Sequence, residues 1–200
     1  DFKPKLVAFD LDGTLAESKQ RVSAEMGELL AELLEDMPVA VMSGAGFKQF
    51  ETQLLPALPA QAHVEQLYLF PTNAAECFTY KDGTWKPQYD LSFNTMQRAR
   101  IMQAIKEAVA ETGFNYIPEY KPEWGEQIED RGAQITFSAL GQHAPVNAKK
   151  SWDPTHTKRK PLYEALKRRL PDFSIGLNAT TSIDITKKGV SKAYGIRRLV

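Results

Sequence analysis

The 200-residue chain is 42% hydrophobic, enough to bury one full core or a core plus an inserted module. Lysine plus arginine and aspartate plus glutamate each number 25, so no global field draws the protein to nucleic acid or an anionic membrane, and neither is expected as a partner. The single cysteine, Cys77, excludes an internal disulfide, no apolar run nears the roughly 18 residues that span a bilayer, and no signal-peptide layout is present; a cytoplasmic setting is expected.

Lys5 to Phe9 is a short, β-favouring apolar run cut off by Asp10, Asp12 and Gly13. It predicts a buried parallel strand that carries acids at its carboxyl end. From Ser23 to Leu34, Met26, Leu29, Leu30, Leu33 and Leu34 recur at helical spacing behind Ser23 as N-cap. Val39 to Met42 reads as a second strand stopped by Ser43-Gly44, Phe47 to Leu55 as a helix, and Leu67 to Phe70 as a third strand. This alternation predicts a parallel sheet with right-handed crossovers.

The pattern then changes. Cys77 to Tyr80 and Thr84 to Lys86, joined by Lys81-Asp82-Gly83, predict a hairpin that opens a different module. A helix follows from about Asn94 to Glu111, a strand from Gln134 to Leu140, a loop from Gly141 to Pro154, and a helix from about Pro161 to Arg169. Strands near Phe173 to Leu177 and Thr181 to Ile185 complete an α+β insert, and Gly189 to Leu199 starts a returning helix. The basic stretch of Lys149, Lys150, Lys158, Arg159 and Lys160 around Trp152 reads as a solvated loop rather than a nucleic-acid surface, given zero net charge.

Asp10-Leu11-Asp12-Gly13-Thr14 is the most informative pentapeptide. Two carboxylates one residue apart at a strand end suit a nucleophile beside a general acid/base. They also invite a hard cation: an aspartate attacking phosphorus needs its charge and that of the phosphate offset, and Mg²⁺ takes oxygen ligands such as Asp10 and Asp12. A capped turn is the competing reading of the same residues.

On these residues the chain resembles the haloacid dehalogenase superfamily, whose first motif has the form DxDGT after a buried strand, here Leu6-Val7-Ala8-Phe9. The resemblance implies Asp10 as nucleophile and Asp12 as acid/base. It identifies Ser43, closing the next core strand, with the second motif, where its hydroxyl and the backbone N–H groups near Gly44 would hold a phosphoryl oxygen. Lys192 in Lys188-Gly189-Val190-Ser191-Lys192 is similar to the third motif, a lysine that offsets the charge of aspartate and phosphate. Lys188 is the second candidate for that role.

The insert between Ser43 and Lys192 resembles the large α/β cap of this superfamily, most of all that of eukaryotic-type phosphomannomutases and related sugar-phosphate phosphatases. Phe70-Pro71-Thr72-Asn73 and Tyr80-Lys81-Asp82-Gly83 resemble the start of that cap. Arg131, at the head of RGAQITFSALG, looks like the arginine that grips a substrate's distal phosphate, and Ser182-Ile183-Asp184 like the segment whose serine and aspartate hold sugar hydroxyls. Gln142 stands where the mutases carry a second phosphate-binding arginine. A fourth motif, a glycine-aspartate pair with further acids of the Mg²⁺ site, should follow Lys192, and none occurs before Val200. Either the chain is a truncated version of a longer protein, the preferred reading, or it is a member that lacks part of the metal site.

The expectation is a Rossmann-like α/β core, residues 1–76 and 187–200, interrupted by an α+β cap, residues 77–186. It would act as a Mg²⁺-dependent phosphohydrolase on a small phosphorylated metabolite such as a sugar phosphate, through an aspartyl-phosphate intermediate. A phosphomannomutase-type transferase and a non-catalytic sugar-phosphate-binding protein are the alternatives.

Overall fold

The computed structural model describes residues 4–200, so the first three residues of the expected core lie outside it. Two compact units divide the chain, one of residues up to Leu91 with Val190–Val200, the other Ser92–Gly189. In the first, β1 (Val7–Asp10), β2 (Val39–Met42) and β3 (Leu67–Phe70) are parallel neighbours, connected by α1 (Ala24–Asp36) and α2 (Phe47–Gln53). The Ser23 hydroxyl accepts the N–H of Met26 at 3.1 Å and so caps α1. All four residues of β2 are buried, which is why its sequence is a continuous apolar run. Leu30, Leu34, Val39, Val41, Phe50 and Leu69 form the core on one side of the sheet, while Ala40, Met42, Phe70 and Cys77 cluster on the other. Fully burying side chains of this size contributes roughly 1.5–3 kcal/mol each.

The hairpin of β4 (Glu76–Lys81) and β5 (Thr84–Asp90) does not open the second unit. It extends the first sheet, β4 pairing antiparallel with β3, so the sheet order is β1-β2-β3-β4-β5. The turn residues Asp82 and Gly83 both have positive φ, 52° and 77°, as a tight two-residue hairpin requires. Periodicity marks the hairpin but is silent on which sheet its edge joins.

The second unit runs through α3 (Thr95–Thr112), β6 (Ile128–Asp130), β7 (Ile135–Ser138), α4 (Val146–Trp152), α5 (Lys160–Arg169), β8 (Phe173–Gly176) and β9 (Ser182–Lys187). Asn94 and Gln97 form a reciprocal capping box at the start of α3. The strands make an antiparallel sheet in the order β6-β7-β9-β8. Ile135 and Phe137 of β7 and Ile183 and Ile185 of β9 pack with Ile101, Ile105, Leu162 and Leu166 of the helices. By the two-residue period of a strand, Thr136, Ser138, Ser182, Asp184 and Thr186 take the opposite face.

Helix α4 occupies part of the segment expected as loop. It begins directly after Pro145, and its seven residues are too few to show an apolar stripe. Arg159 corrects the reading of a solvated basic stretch, because it is fully buried. The chain returns to the first unit as α6 (Lys192–Arg197), capped by the Ser191 hydroxyl at 3.2 Å from Tyr194 N. Ile196 and Leu199 pack on the cluster of Phe70, Ala74 and Cys77. No helix among the described residues is long and apolar enough to cross a membrane.

Candidate active site

Strand β1 ends where the Leu11 N–H reaches Met42 O at 2.9 Å and the chain turns, Leu11 O accepting from Leu15 N at 3.0 Å and Ala16 N at 3.2 Å. Gly13, at φ +81°, supplies the left-handed residue that lets its own N–H close on Ala16 O at 2.7 Å. Leu11 and Leu15 anchor this turn in the core. Asp10 and Asp12 therefore flank a buried leucine, on a loop fixed from below.

Oδ1 of Asp10 accepts from Lys192 Nζ at 2.8 Å and from Leu11 N at 3.2 Å. Asp10 and Lys192 retain 44% and 37% exposure of their side chains, so the pair can meet a ligand. Oδ1 of Asp12 accepts from Lys19 N at 3.0 Å and from Gln53 Nε2 at 3.3 Å. Gln53 is buried and also donates to Gln20 O. Sequence alone does not single it out; its one signal is a polar residue three positions from the core residue Phe50, on the same helix face.

The parallel register pairs Asp10 with Met42, which places Ser43 one step beyond the nucleophile candidate on the neighbouring strand. Ser43 N donates to Phe70 O at 3.1 Å, and Ser43 Oγ accepts from Ala45 N at 3.0 Å across Gly44. Accepting that N–H directs the hydroxyl so that its hydrogen is what it offers. Behind the serine, Thr72, Asn73 and Ala74 all have positive φ, 53°, 54° and 68°. Such backbone costs of order 1–3 kcal/mol per residue and persists only where surroundings hold it. Here Thr72 N donates to Ala45 O and Asn73 N to Ser43 O, both at 2.9 Å, while the Tyr89 hydroxyl donates to Ala74 O at 2.8 Å. This turn belongs to the first unit.

In the second unit, the register sets Thr136 opposite Asp184 and Ser138 opposite Ser182. Asp184 is buried and accepts from Thr136 Oγ1 at 2.9 Å and Asn178 Nδ2 at 3.2 Å, with Gln134 Nε2 donating to Thr136 Oγ1 at 2.8 Å. Arg131 donates through Nη2 to Glu129 Oε2 at 2.7 Å and to Gln142 Oε1 at 3.3 Å. The carbonyl of Ser182 accepts from the buried Arg159 Nη1 at 2.6 Å, and Arg159 Nε donates to Asp153 Oδ2 at 2.9 Å. Burial pushes the Asp153 carboxyl up, but Arg159 and the N–H groups of Lys158 and Arg159 outweigh it and hold the group below the usual aspartate range.

The donor set at the β1 tip, two carboxylates and nothing softer, fits a hard divalent cation such as Mg²⁺, which keeps several waters and takes further oxygens from a phosphate. No group of three or more His, Cys, Asp or Glu side chains stands ready for a metal among the described residues.

Residues 7–200 match the model of the haloacid dehalogenase-like hydrolases. Among curated proteins the chain is similar to phosphomannomutase of Spinacia oleracea, 25% identical over 98% of this chain and 78% of that protein. It is also similar to phosphomannomutase of Saccharomyces cerevisiae, 24% identical over 98% and 76%. Among solved structures, a haloacid dehalogenase-like hydrolase from Bacteroides thetaiotaomicron superposes with a TM-score of 0.63 at 16% identity, covering 98% of this chain and 76% of that one. An IMP-nucleotidase of Plasmodium falciparum superposes at 0.62 with 14% identity, over 98% of this chain and 50% of that one. With the family model spanning all but the first six residues, the chain belongs to the haloacid dehalogenase-like hydrolases.

Proposed function

We propose that the protein is a Mg²⁺-dependent phosphohydrolase of small phosphorylated metabolites, sugar phosphates foremost, working through an aspartyl phosphate on Asp10. The observation that carries this reading is the ammonium of Lys192 at 2.8 Å from Asp10 Oδ1, beside the strand end that bears Ser43. A carboxylate oxygen of Asp10 bonds to phosphorus as the ester P–O bond breaks, and the leaving oxygen takes a proton from Asp12. Asp12, now a carboxylate, removes a proton from water; the water oxygen bonds to phosphorus, the acyl phosphate bond breaks, and inorganic phosphate leaves. Lys192 and the hydroxyl and N–H groups at Ser43 and Gly44 offset the equatorial charge. Mg²⁺, held by Asp10 and Asp12, would supply further neutralisation between the two anions.

For Arg131, Ser182 and Asp184 we propose recognition of the rest of the substrate, the arginine for an anionic group and the other two for hydroxyls. A phosphomannomutase-type transfer is the second reading, supported by the two relatives of that name. Gln142, neutral and hydrogen-bonded to Arg131, favours hydrolysis, since a mutase must grip a phosphate in both orientations of its intermediate. The test is a screen of sugar phosphates with Mg²⁺ that follows free phosphate and, with a hexose bisphosphate added, isomerised product. Phosphate release by the wild type and not by Asp10→Asn supports the hydrolase; isomer in excess of phosphate assigns the mutase; neither product from any substrate leaves a binding protein.

A further inference from the structure

Helix α6 lies against the sheet so closely that a methyl group on Gly195 would stand 2.7 Å from Ala74 Cβ and 3.0 Å from Phe70 Cδ1. Gly195 is one turn beyond Lys192 and thus on the same helix face. The atom it meets, Ala74 Cβ, projects from a residue at φ +68°, inside the left-handed turn of Thr72–Ala74. That turn is fastened on its other side to the serine loop, through Asn73 N on Ser43 O and Thr72 N on Ala45 O. Thr72 Oγ1 donates to Glu76 Oε2 at 2.9 Å, and Tyr89, which fixes Ala74 O, also meets Tyr194 of α6 edge-on at 5.9 Å. One strained turn therefore touches both the Ser43 loop and the helix that begins with Lys192.

We propose that Gly195 and the left-handed turn Thr72–Ala74 are positioning residues of the phosphate site: the turn is a fixed seat, and the bare Cα of Gly195 lets α6 settle far enough onto it to bring Lys192 to Asp10. The inference rests on the catalytic reading given above. A packed interface does not yield by fractions of an ångström without moving its elements. A methyl at Gly195 lifts α6, and the ammonium leaves Asp10 although neither charged residue has changed. Misplacement on this scale is felt in turnover rather than in substrate binding.

Gly195→Ala, Lys192→Ala, the double variant and Ala74→Gly/Gly195→Ala are compared by kcat and KM for phosphate release from a sugar phosphate with Mg²⁺, together with a crystal structure of Gly195→Ala. Expected are a kcat loss of roughly ten- to a hundredfold in Gly195→Ala with KM within about threefold. The same substitution should cost nothing further when Lys192 is already alanine, because it acts through that lysine. Removing the opposing methyl in Ala74→Gly/Gly195→Ala should restore most of the rate, and the crystal structure should show Nζ beyond hydrogen-bond reach of Asp10. A Gly195→Ala loss that multiplies in full onto that of Lys192→Ala, or a Gly195→Ala enzyme with wild-type kcat and an intact Lys192–Asp10 contact, overturns the proposal. If Gly195→Ala does not fold, the comparison uses Ala74→Gly/Gly195→Ala, whose new methyl still stands 3.0 Å from Phe70 Cδ1: its residual loss of rate should vanish once Lys192 is alanine, and a loss that persists there overturns the proposal. Full activity of Lys192→Ala would sink the catalytic reading itself, a separate result from any loss or retention in Gly195→Ala.

Discussion

Lys192 and Asp10 stand 182 positions apart in the chain and 2.8 Å apart in space, the lysine opening the last helix and the aspartate closing the first strand. An ion pair with 44% and 37% of its side chains exposed contributes little to stability; under the proposed function its value lies in what it places beside an incoming anion. Asp10→Asn keeps the shape and removes the proposed nucleophile; phosphate release should fall by roughly a thousandfold or more with Mg²⁺ and sugar phosphate, while the thermal midpoint barely moves. Lys192→Ala should lose on the order of a hundredfold in kcat, the usual effect of deleting one transition-state donor. Equal turnover by Asp10→Asn and wild type would remove the nucleophile.

Ser43 offers a smaller contribution from a fully enclosed position, 1% exposed with Oγ tied to Ala45 N. Ser43→Ala should reduce kcat by roughly ten- to a hundredfold, and Ser43→Thr, which keeps the hydroxyl, should recover part of it. Steady-state kinetics of the pair separates loss of the hydroxyl from loss of packing, since threonine crowds the site and alanine does not.

Part of this candidate site is legible in the sequence because Asp10 and Asp12 share one local string. The DxDGT string and the apolar run before it mark Asp10 and Asp12 at a strand end, and the next such run stops at Ser43, whose part in the site comes from the resemblance. Lys192 was found by resemblance, since no local pattern distinguishes it from a solvated lysine. What stayed hidden was non-local. The strand pairing of Glu76–Lys81 with β3 depends on edges that periodicity does not see, and it moved the hairpin into the first unit. Gln53 and the left-handed turn at Thr72–Ala74 depend on partners 41 and roughly 30 residues away, with no glycine to signal positive φ. Arg159 reads as a surface charge in a basic stretch, because what makes its burial tolerable is a set of partners that the fold brings together, Asp153, His156 and the carbonyls of Ala179 and Ser182.

Glu76 gives a pH-dependent prediction in the first unit. Burial pushes its carboxyl up, against the hydrogen bond from Thr72 and together with the like charge of Asp90, its cross-strand partner. A carboxyl raised in the folded state favours folding while protonated, and that contribution disappears as pH climbs through the folded value. At neutral pH the ionised group is therefore a burden. Glu76→Gln should raise the thermal midpoint at pH 7 and lose that advantage below about pH 4, where wild-type Glu76 is protonated in both states. A midpoint gain of the same size at both pH values would assign the effect to packing instead.

The buried pair of Asp153 and Arg159 makes the opposite prediction in the second unit. Both side chains are within 1% of full enclosure, and the guanidinium holds the carbonyl of Ser182 as well as the carboxylate. Removing one member strands the other charge in a dry site, at a cost of about 3–5 kcal/mol, whereas removing both can be nearly neutral. Urea unfolding should therefore show Arg159→Met well below wild type and Asp153→Asn/Arg159→Met above the single variant. Because the Asp153 carboxyl is held below its ordinary value, its contribution is present above the usual aspartate range and fades as pH falls through the folded value. The wild type should thus lose stability in the acid range more steeply than the double variant. Should the two fall in parallel, Asp153 is not the group whose protonation unfastens the strand that carries Ser182 and Asp184.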